Sequence, residues 1–486
     1  MPLKILLIDP PHKIFGALRM WMPSPGLMAL AAYLEEKGRA VDVLDATTFD
    51  LPWTGLKNRL KDGRYDIVGI TCSAATFHLD AISAVRLTRS VLPNAVIAAG
   101  GGHFSLNAEK MMTDVPELDY IVIGEGEETF LDLIQWLESG DRANPCNAPG
   151  LIRRKGDQTE KTPLRPLIAD LDVLPMPAYH KMDLENPTYY LHGMGRRAIG
   201  VSTSRGCGDR CSYCSEAVLW NSNWRGRSAG LLVEEMRMLN SRYNKSLFVF
   251  NENSFNQSRE RNEAFLEHLG HSGLRCDFWF QSRVKDILRD RDLLDDFKRL
   301  GCYEVMLGVE SIRPETLKNY AKRQTFEDIR EAAMLLRSKG IMVMTNVMFG
   351  DTDDTEETLR QICDFVTEIG EFLVLTITTP LPGTRYHQQA IDAGRIEDYD
   401  FSHYDFMHPV MRNRACTRDE ILALQKKYLR RYYTRTAIFI NMLFSRNRFK
   451  RMAYRLIMRY AWHEARNREW IQGNYEEIPE GLRGLK

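Results

Sequence analysis

Ser204-Arg205-Gly206-Cys207-Gly208-Asp209-Arg210-Cys211-Ser212-Tyr213-Cys214 places three thiols within eight residues. The run 198–203 just before it is short and apolar, the pattern of a buried strand, so the thiols ride on the loop at that strand's carboxyl end. Only a compact loop brings them together, and Gly206 and Gly208 give the backbone that freedom. Three thiolates separated by three and two residues suit the corners of a cubane iron–sulfur cluster. The competing reading is zinc, whose closed sites need a fourth Cys or His. The nearest histidines are His192 and His268, so zinc requires a tertiary ligand. Three protein ligands on a four-iron cluster leave one iron open, a place for a reacting molecule; a bare electron carrier would use four.

Outward from this loop, strand-like runs recur at 247–250, 276–281, 304–309, 342–349 and 372–378, separated by helical patterns such as 259–269 and 326–340. Together they predict a partial or full (β/α) barrel with chemistry at its C-terminal strand ends. Upstream, an apolar run at 3–8, a helical stretch at 27–37 and further runs at 40–44, 66–71, 95–99 and 120–123 predict an open, doubly wound, Rossmann-like sheet. Between the two series, Pro145, Pro149, Pro163, Pro166, Pro175, Pro177 and Pro187 mark a linker. From 396 onward strand signals stop, and 418–444 and 449–470 read as helices. The α/β chain thus divides into a ligand-binding sheet (1–140), a proline-rich linker (141–195), a barrel (196–395) and a helical, partly basic cap (396–486).

In the 486 residues, Lys+Arg 65 balances Asp+Glu 65, and 44% are hydrophobic against 27% charged. Bulk disorder is excluded, and no global field recruits nucleic acid. The apolar run before Asp9 is too short for a signal segment, and no stretch reaches membrane-spanning length. Nine cysteines without a secretion signal suggest a reducing, cytoplasmic compartment. The last helical pattern carries Arg446, Arg448, Lys450, Arg451, Arg455, Arg459, Arg466 and Arg468 among Met452, Leu456, Ile457 and Tyr460. It reads either as a solvated face over a packed stripe or as a peripheral membrane surface.

The strand-end loops of the first sheet are small or glycine-rich: Thr71-Cys72-Ser73-Ala74, Gly100-Gly101-Gly102-His103 and Gly124-Glu125-Gly126-Glu127-Glu128-Thr129. Such loops let backbone approach a flat or bulky ligand, or serve as plain turns. None is G-x-G-x-x-G, so the dinucleotide fingerprint is absent.

Cys-x-x-x-Cys-x-x-Cys with an aromatic residue before the last cysteine resembles the radical S-adenosylmethionine superfamily. In that superfamily the open iron holds the amino and carboxylate groups of S-adenosylmethionine, and one electron cleaves the sulfonium to a 5′-deoxyadenosyl radical. The resemblance implies a 4Fe–4S cluster on Cys207, Cys211 and Cys214, with Tyr213 beside it. Asn251-Glu252-Asn253 stands where the family has its G-G-E segment, which points to Glu252. Gln281-Ser282-Arg283 resembles the segment approaching the carboxylate, Gly308-Val309-Glu310-Ser311 matches a further motif, and Asn346–Asp351 resembles the stretch against adenine. Arg283 and Glu310 are accordingly candidate S-adenosylmethionine neighbours; strand-end ion pairs are the other reading of these charges. The other six cysteines, Cys72, Cys146, Cys276, Cys302, Cys363 and Cys416, are expected not to bind the cluster.

Pro23-Ser24-Pro25-Gly26-Leu27 and the glycine loops resemble the cobalamin-binding domain of the B12-dependent radical S-adenosylmethionine class. That resemblance implies Ser73, Gly100, Gly101, Gly102, His103, Gly124, Glu125 and Gly126 around cobalamin. The D-x-H-x-x-G motif is absent, so no histidine from it ligates the lower face; His12, His78 and His103 remain as neighbours. The aromatic strip 399–411 is similar to the anaerobic magnesium-protoporphyrin monomethyl ester cyclase family and the related bacteriochlorophyll methyltransferases. The implied activity is methylation of an unactivated carbon of a small organic or tetrapyrrole-like substrate, with oxidative cyclisation or rearrangement as the alternative and a non-catalytic iron–sulfur protein as a third reading. The implied partner is an electron donor such as flavodoxin or ferredoxin.

Overall fold

The computed structural model describes residues 2–12, 22–46, 51–140, 144–156, 158–185, 197–455, 458 and 478–482. The chain divides into two compact units, Met1–Leu191 with Glu469–Lys486, and His192–Arg468.

In the first unit, strands β1 (Ile5–Asp9), β2 (Val41–Asp45), β3 (Ile67–Thr71), β4 (Val96–Gly100) and β5 (Tyr120–Val122) are parallel, in the order β2-β1-β3-β4-β5. β1 is a continuous apolar run because both of its faces are covered. Leu6 and Ile8 pack with Trp53, Leu56, Ile82 and Phe104, while Ile5 and Leu7 pack with Leu27, Leu34, Phe130 and Leu133. The strand order reverses at β1, so the crevice beyond the ends of β1 and β3 is where this topology receives a ligand.

The stretch 141–195 departs from the linker expectation. Leu151–Lys155 and Gln158–Lys161 are strands β6 and β7, which extend the same sheet antiparallel from β5. The prolines flank this hairpin, and Cys146, Leu151 and Ala178 belong to the first unit's core. Pro187 and His192 lie outside the described residues.

The second unit is a partial barrel among the described residues. Strands β8 (Ala198–Val201), β9 (Leu247–Phe250), β10 (Asp277–Ser282), β11 (Cys302–Glu310), β12 (Met342–Phe349) and β13 (Phe372–Ile377) pair in chain order, all parallel. The helices Phe326–Ser338 and Glu356–Ile369 start at capping boxes on Thr325 and Thr355. A cap of this kind contributes about 1 kcal/mol to its helix.

An open barrel leaves a strand edge whose backbone groups need partners. Helix Arg418–Tyr433 supplies them along β13: the Tyr433 hydroxyl accepts the Leu373 N–H at 3.2 Å and donates to the Leu373 carbonyl at 2.7 Å. Gln425 donates to the Leu375 carbonyl at 2.8 Å. This part of the helical cap therefore closes an edge.

Candidate active site

The cysteine loop leaves β8 through Thr203, and a short ribbon pairs Arg205 with Arg225 and Ser204 with Gly226. Gly206 has φ +82°, and a Cβ there would lie 2.1 Å from the Asn223 carbonyl oxygen. No side chain fits at that turn. The Gly208 N–H donates to Gln257 Oε1 at 2.9 Å. Ser212 is pinned from two directions: its N–H donates to the Tyr320 carbonyl at 2.9 Å and its hydroxyl to the Asn319 carbonyl at 2.8 Å, while its own carbonyl accepts the Tyr386 N–H at 2.9 Å.

The thiols carried by this loop are half-buried. Burial pushes the Cys211 thiol up and the Cys214 thiol up to about 12, and Cys211 lies close enough to both neighbours to feel their charge. Thiols so placed ionise when a cation faces them, which the irons of a cluster do. This donor set fits a 4Fe–4S group. Among the described residues no three His, Cys, Asp or Glu side chains gather around a single ion. His268, the downstream candidate for a zinc ligand, sits on helix Arg259–His271 beside Gly230.

Charged side chains from neighbouring strand ends surround the loop. Asp209 accepts Arg283 Nη1 at 3.1 Å and Lys285 Nζ at 2.6 Å. Arg283 also pairs with Asp286, so the guanidinium anchors the cysteine loop through the strand-end ion pairs that were the other reading of its charge. Glu252 is buried and accepts the Thr203 N–H at 3.1 Å and the Thr203 hydroxyl, which ties the end of β9 to the end of β8. Burial raises its pKa, and the Thr203 bonds oppose that.

Glu310 sits where β11 slips register against β12 between Gly308 and Glu310, with φ +61°. A bulge of this kind re-aims a side chain. Its carboxylate accepts Lys322 Nζ at 2.9 Å and Asn346 Nδ2 at 3.4 Å, and burial, then the Glu310 charge, pushes the Tyr213 hydroxyl's pKa up. Lys322 escaped sequence reading because it follows helix Pro314–Asn319 rather than a strand end. Burial opposes its charge, yet Glu310 and the nearby Cys211 outweigh burial and hold its pKa above the usual lysine range.

Tyr213 meets Tyr320 edge-on at 5.0 Å, Tyr320 meets Tyr386 at 5.8 Å, and Met348 and Met411 complete this buried cluster. Of the aromatic strip, Tyr404, Val410 and Met411 are packed inside, whereas Tyr399 and Phe406 face solvent. In the segment compared with an adenine contact, Asp351 N–H donates to Asp354 Oδ2 at 2.9 Å, and burial, then the Asp351 charge, raises Asp354 to about 6.

In the first unit the glycine loops separate into two kinds. The Cys72 N–H donates to the Gly100 carbonyl at 2.9 Å, and the His103 N–H to the Cys72 carbonyl at 3.1 Å. A Cβ on Gly101 would lie 2.7 Å from the Cys72 carbonyl oxygen, and one on Gly102 would lie 2.8 Å from that of Ser73. These two glycines are required by the loops' own packing. Among the described residues, Gly124, at φ +82°, has nothing within 4 Å of a Cβ position, and Gly126 would touch only Val122 at 3.9 Å. The turn at the end of β5 is therefore open around Gly124 and Gly126, unlike the packed Gly101–Gly102 turn. Glu125 accepts the Ile168 N–H at 2.7 Å, so its carboxylate holds the following segment in place.

His103 is buried with Asn107 Nδ2 at 3.4 Å from its Nδ1 and the His78 ring 5.6 Å away; burial pushes its pKa down to about 3, leaving a neutral imidazole. His12 is the opposite case. Its Nε2 lies 2.7 Å from Asp9 and its Nδ1 3.4 Å from Asp80, and although burial opposes charge, the two carboxylates raise its pKa to about 9. Both of its ring nitrogens are thus engaged by carboxylates.

The chain matches the B12 binding domain family over residues 12–134 and the Radical SAM superfamily over residues 201–366. It is similar to an uncharacterised methyltransferase of Pyrococcus horikoshii, 28% identical over 92% of this chain and 96% of that protein. It is also similar to the anaerobic magnesium-protoporphyrin IX monomethyl ester cyclase of Cereibacter sphaeroides, 27% identical over 90% of this chain and 71% of that protein. The solved radical S-adenosylmethionine methyltransferase TsrM of Kitasatospora setae, with cobalamin and a 4Fe–4S cluster bound, shares the fold at TM-score 0.67, with 22% identity, 81% of this chain and 75% of that chain covered.

Proposed function

A chain that joins a B12-binding domain to a radical SAM domain is a B12-dependent radical SAM enzyme, and we propose that it methylates an unactivated carbon of a small organic or tetrapyrrole-like substrate. The observation that carries this reading is the cysteine loop, locked open-ended at the end of β8 by Gly206 and Ser212. The near full-length similarity to a methyltransferase supports it.

Cys207, Cys211 and Cys214 would hold the 4Fe–4S cluster, with Tyr213, Glu252, Arg283 and Glu310 about S-adenosylmethionine. Ser73, His103, Gly124, Gly126 and the Gly100–Gly102 turn would border cobalamin. Bound there, these groups supply one-electron radical chemistry and a carrier for the methyl group. The chain's own contribution is placement. Glu310 presents a carboxylate fixed by Lys322, Arg283 steadies the loop through Asp209, and Tyr213 is braced against the buried Tyr320–Tyr386 pair. A small redox protein such as flavodoxin or ferredoxin would deliver the electron.

Similarity to the cyclase over 90% of the chain favours oxidative cyclisation as a second reading. The two differ in methyl consumption. Protein reconstituted without oxygen should carry about four irons and a stoichiometric cobalamin, and form 5′-deoxyadenosine from S-adenosylmethionine and reductant. S-adenosylhomocysteine formed alongside supports methylation, while deoxyadenosine without it supports cyclisation. Iron-loaded protein that makes neither overturns both. Loss of iron in Cys211→Ala, with iron retained in alanine variants of Cys72, Cys146, Cys276, Cys302, Cys363 and Cys416, is the pattern the cluster assignment requires.

A further inference from the structure

Residues 421–455 contain ten lysines and arginines and no aspartate or glutamate, in a chain whose totals balance at 65 and 65. In the middle of this basic stretch lies an uncharged helix, Thr436–Phe444, with the sequence TAIFINMLF. Ile438 points into the protein, while Phe439, Ile440, Leu443 and Phe444 are 39%, 55%, 59% and 77% exposed. Four large apolar side chains side by side on a surface mark an interaction site.

The helix is clamped at both ends. On the entering side the Arg435 guanidinium stacks 3.8 Å from the Tyr432 ring centre. On the leaving side Phe449 stacks on Tyr303 at 4.0 Å, Arg448 pairs with Asp277, and the Tyr454 hydroxyl donates to the Glu371 carbonyl at 3.4 Å. The apolar face is thus held outward by anchors on β10, β11 and the start of β13. Among the described residues the helix has no span long and apolar enough to cross a membrane; at nine residues it is about 13 Å long, enough only to lie in an interface.

The cations that flank the helix in sequence point to what covers it. Lys427 and Arg431 are paired with Glu356 and Asp364, and Arg448 and Lys450 with Asp277 and Glu371. Lys426, Arg430, Arg446 and Arg455 are exposed and ion-pair with no carboxylate among the described residues. An occupant must therefore offer apolar depth in the centre and negative charge around it. A second copy of this face would bring the same cations and repel. We propose that Thr436–Phe444 docks this protein on an anionic lipid bilayer, with Ile440, Leu443 and Phe444 in the acyl boundary and the four arginine and lysine side chains on phosphate headgroups. Most of the basic stretch 449–470, read from sequence as a peripheral membrane surface or a solvated face, lies outside the described set, which leaves out residues 456–457 and 459–477.

The full chain would be sedimented with vesicles of phosphatidylcholine alone and with vesicles containing about one-third phosphatidylglycerol. It should pellet with the anionic vesicles, be released by high salt, and stay in solution with the neutral ones. The variant Ile440→Ser/Leu443→Ser/Phe444→Ser should lose at least about tenfold in partitioning with an unchanged thermal melt, and Arg446→Gln should lose about fivefold. Wild-type protein that ignores both vesicles overturns the proposal. So does self-association that the triple serine variant abolishes, which would make this face a contact between copies.

Discussion

The Lys322 ammonium lies 2.9 Å from Glu310 Oε1, with both side chains almost fully buried, and the two charges reach Cys211 and Tyr213. Glu310 owes its direction to the slip between β11 and β12 rather than to a regular strand position.

Breaking that pair from one side leaves an uncompensated buried charge. Glu310→Gln and Lys322→Met should each destabilise by about 3–5 kcal/mol in urea unfolding. The double variant should cost clearly less than the sum of the two, because neither charge is then stranded. Additive effects in this cycle would mean that the two side chains do not act as a pair.

Three glycine-to-alanine changes separate backbone demand from ligand demand. Gly206→Ala sets a Cβ 2.1 Å from a carbonyl oxygen and should abolish iron loading, as read by iron and sulfide content. Gly101→Ala, with its Cβ 2.7 Å from the Cys72 carbonyl, should weaken cobalamin retention and leave iron unchanged. At Gly124 no described residue stands within 4 Å of a Cβ, so alanine should cost only about 1–2 kcal/mol of left-handed strain. A folded Gly124→Ala protein that loses cobalamin places the ligand at β5; one that retains it moves the site elsewhere.

The two series of strands were legible because parallel strands covered on both faces read as unbroken apolar runs: 247–250 and 342–349 coincide with β9 and β12. The hairpin 151–161 was not legible. Only part of it is apolar, its Arg153 is buried against Glu160 at 2.6 Å, and the flanking prolines read as punctuation. The cysteine loop was legible from spacing alone, since its three thiols are near neighbours in sequence. Lys322 and the edge-sealing Tyr433 act across 12 and 60 residues of sequence, where no periodicity links them to their partners.

His12 makes the first unit sensitive to alkali. Burial works against its charge, but Asp9 and Asp80 raise its pKa from 6.5 to about 9, so the folded state holds the proton more tightly than the unfolded chain. Its contribution is complete below the unfolded value and is lost as pH rises through about 9, amounting to about 3 kcal/mol. His12→Asn should flatten that part of the urea-midpoint profile between about pH 6 and pH 10. An unchanged alkaline slope in the variant would show that the Asp9–His12–Asp80 contact carries no linkage.

Glu304, at the start of β11, shifts stability the other way. It is buried, its Oε1 has no hydrogen-bond partner among the described residues, and burial, followed by the charge of Glu371, raises its pKa from 4.5 to about 8. Between these values the folded protein binds a proton that the unfolded chain releases, so stability falls as pH rises from about 4.5 to about 8. Above that range the protein carries an uncompensated carboxylate at a cost of roughly 3–5 kcal/mol. Glu304→Gln keeps the shape and the neutral charge of the protonated form. It should therefore match wild type near pH 5, where the native carboxyl is protonated, and exceed it at pH 8. Urea midpoints measured at both pH values decide the matter: a variant no more stable than wild type at the higher pH would place Glu304 in contact with water or a cation.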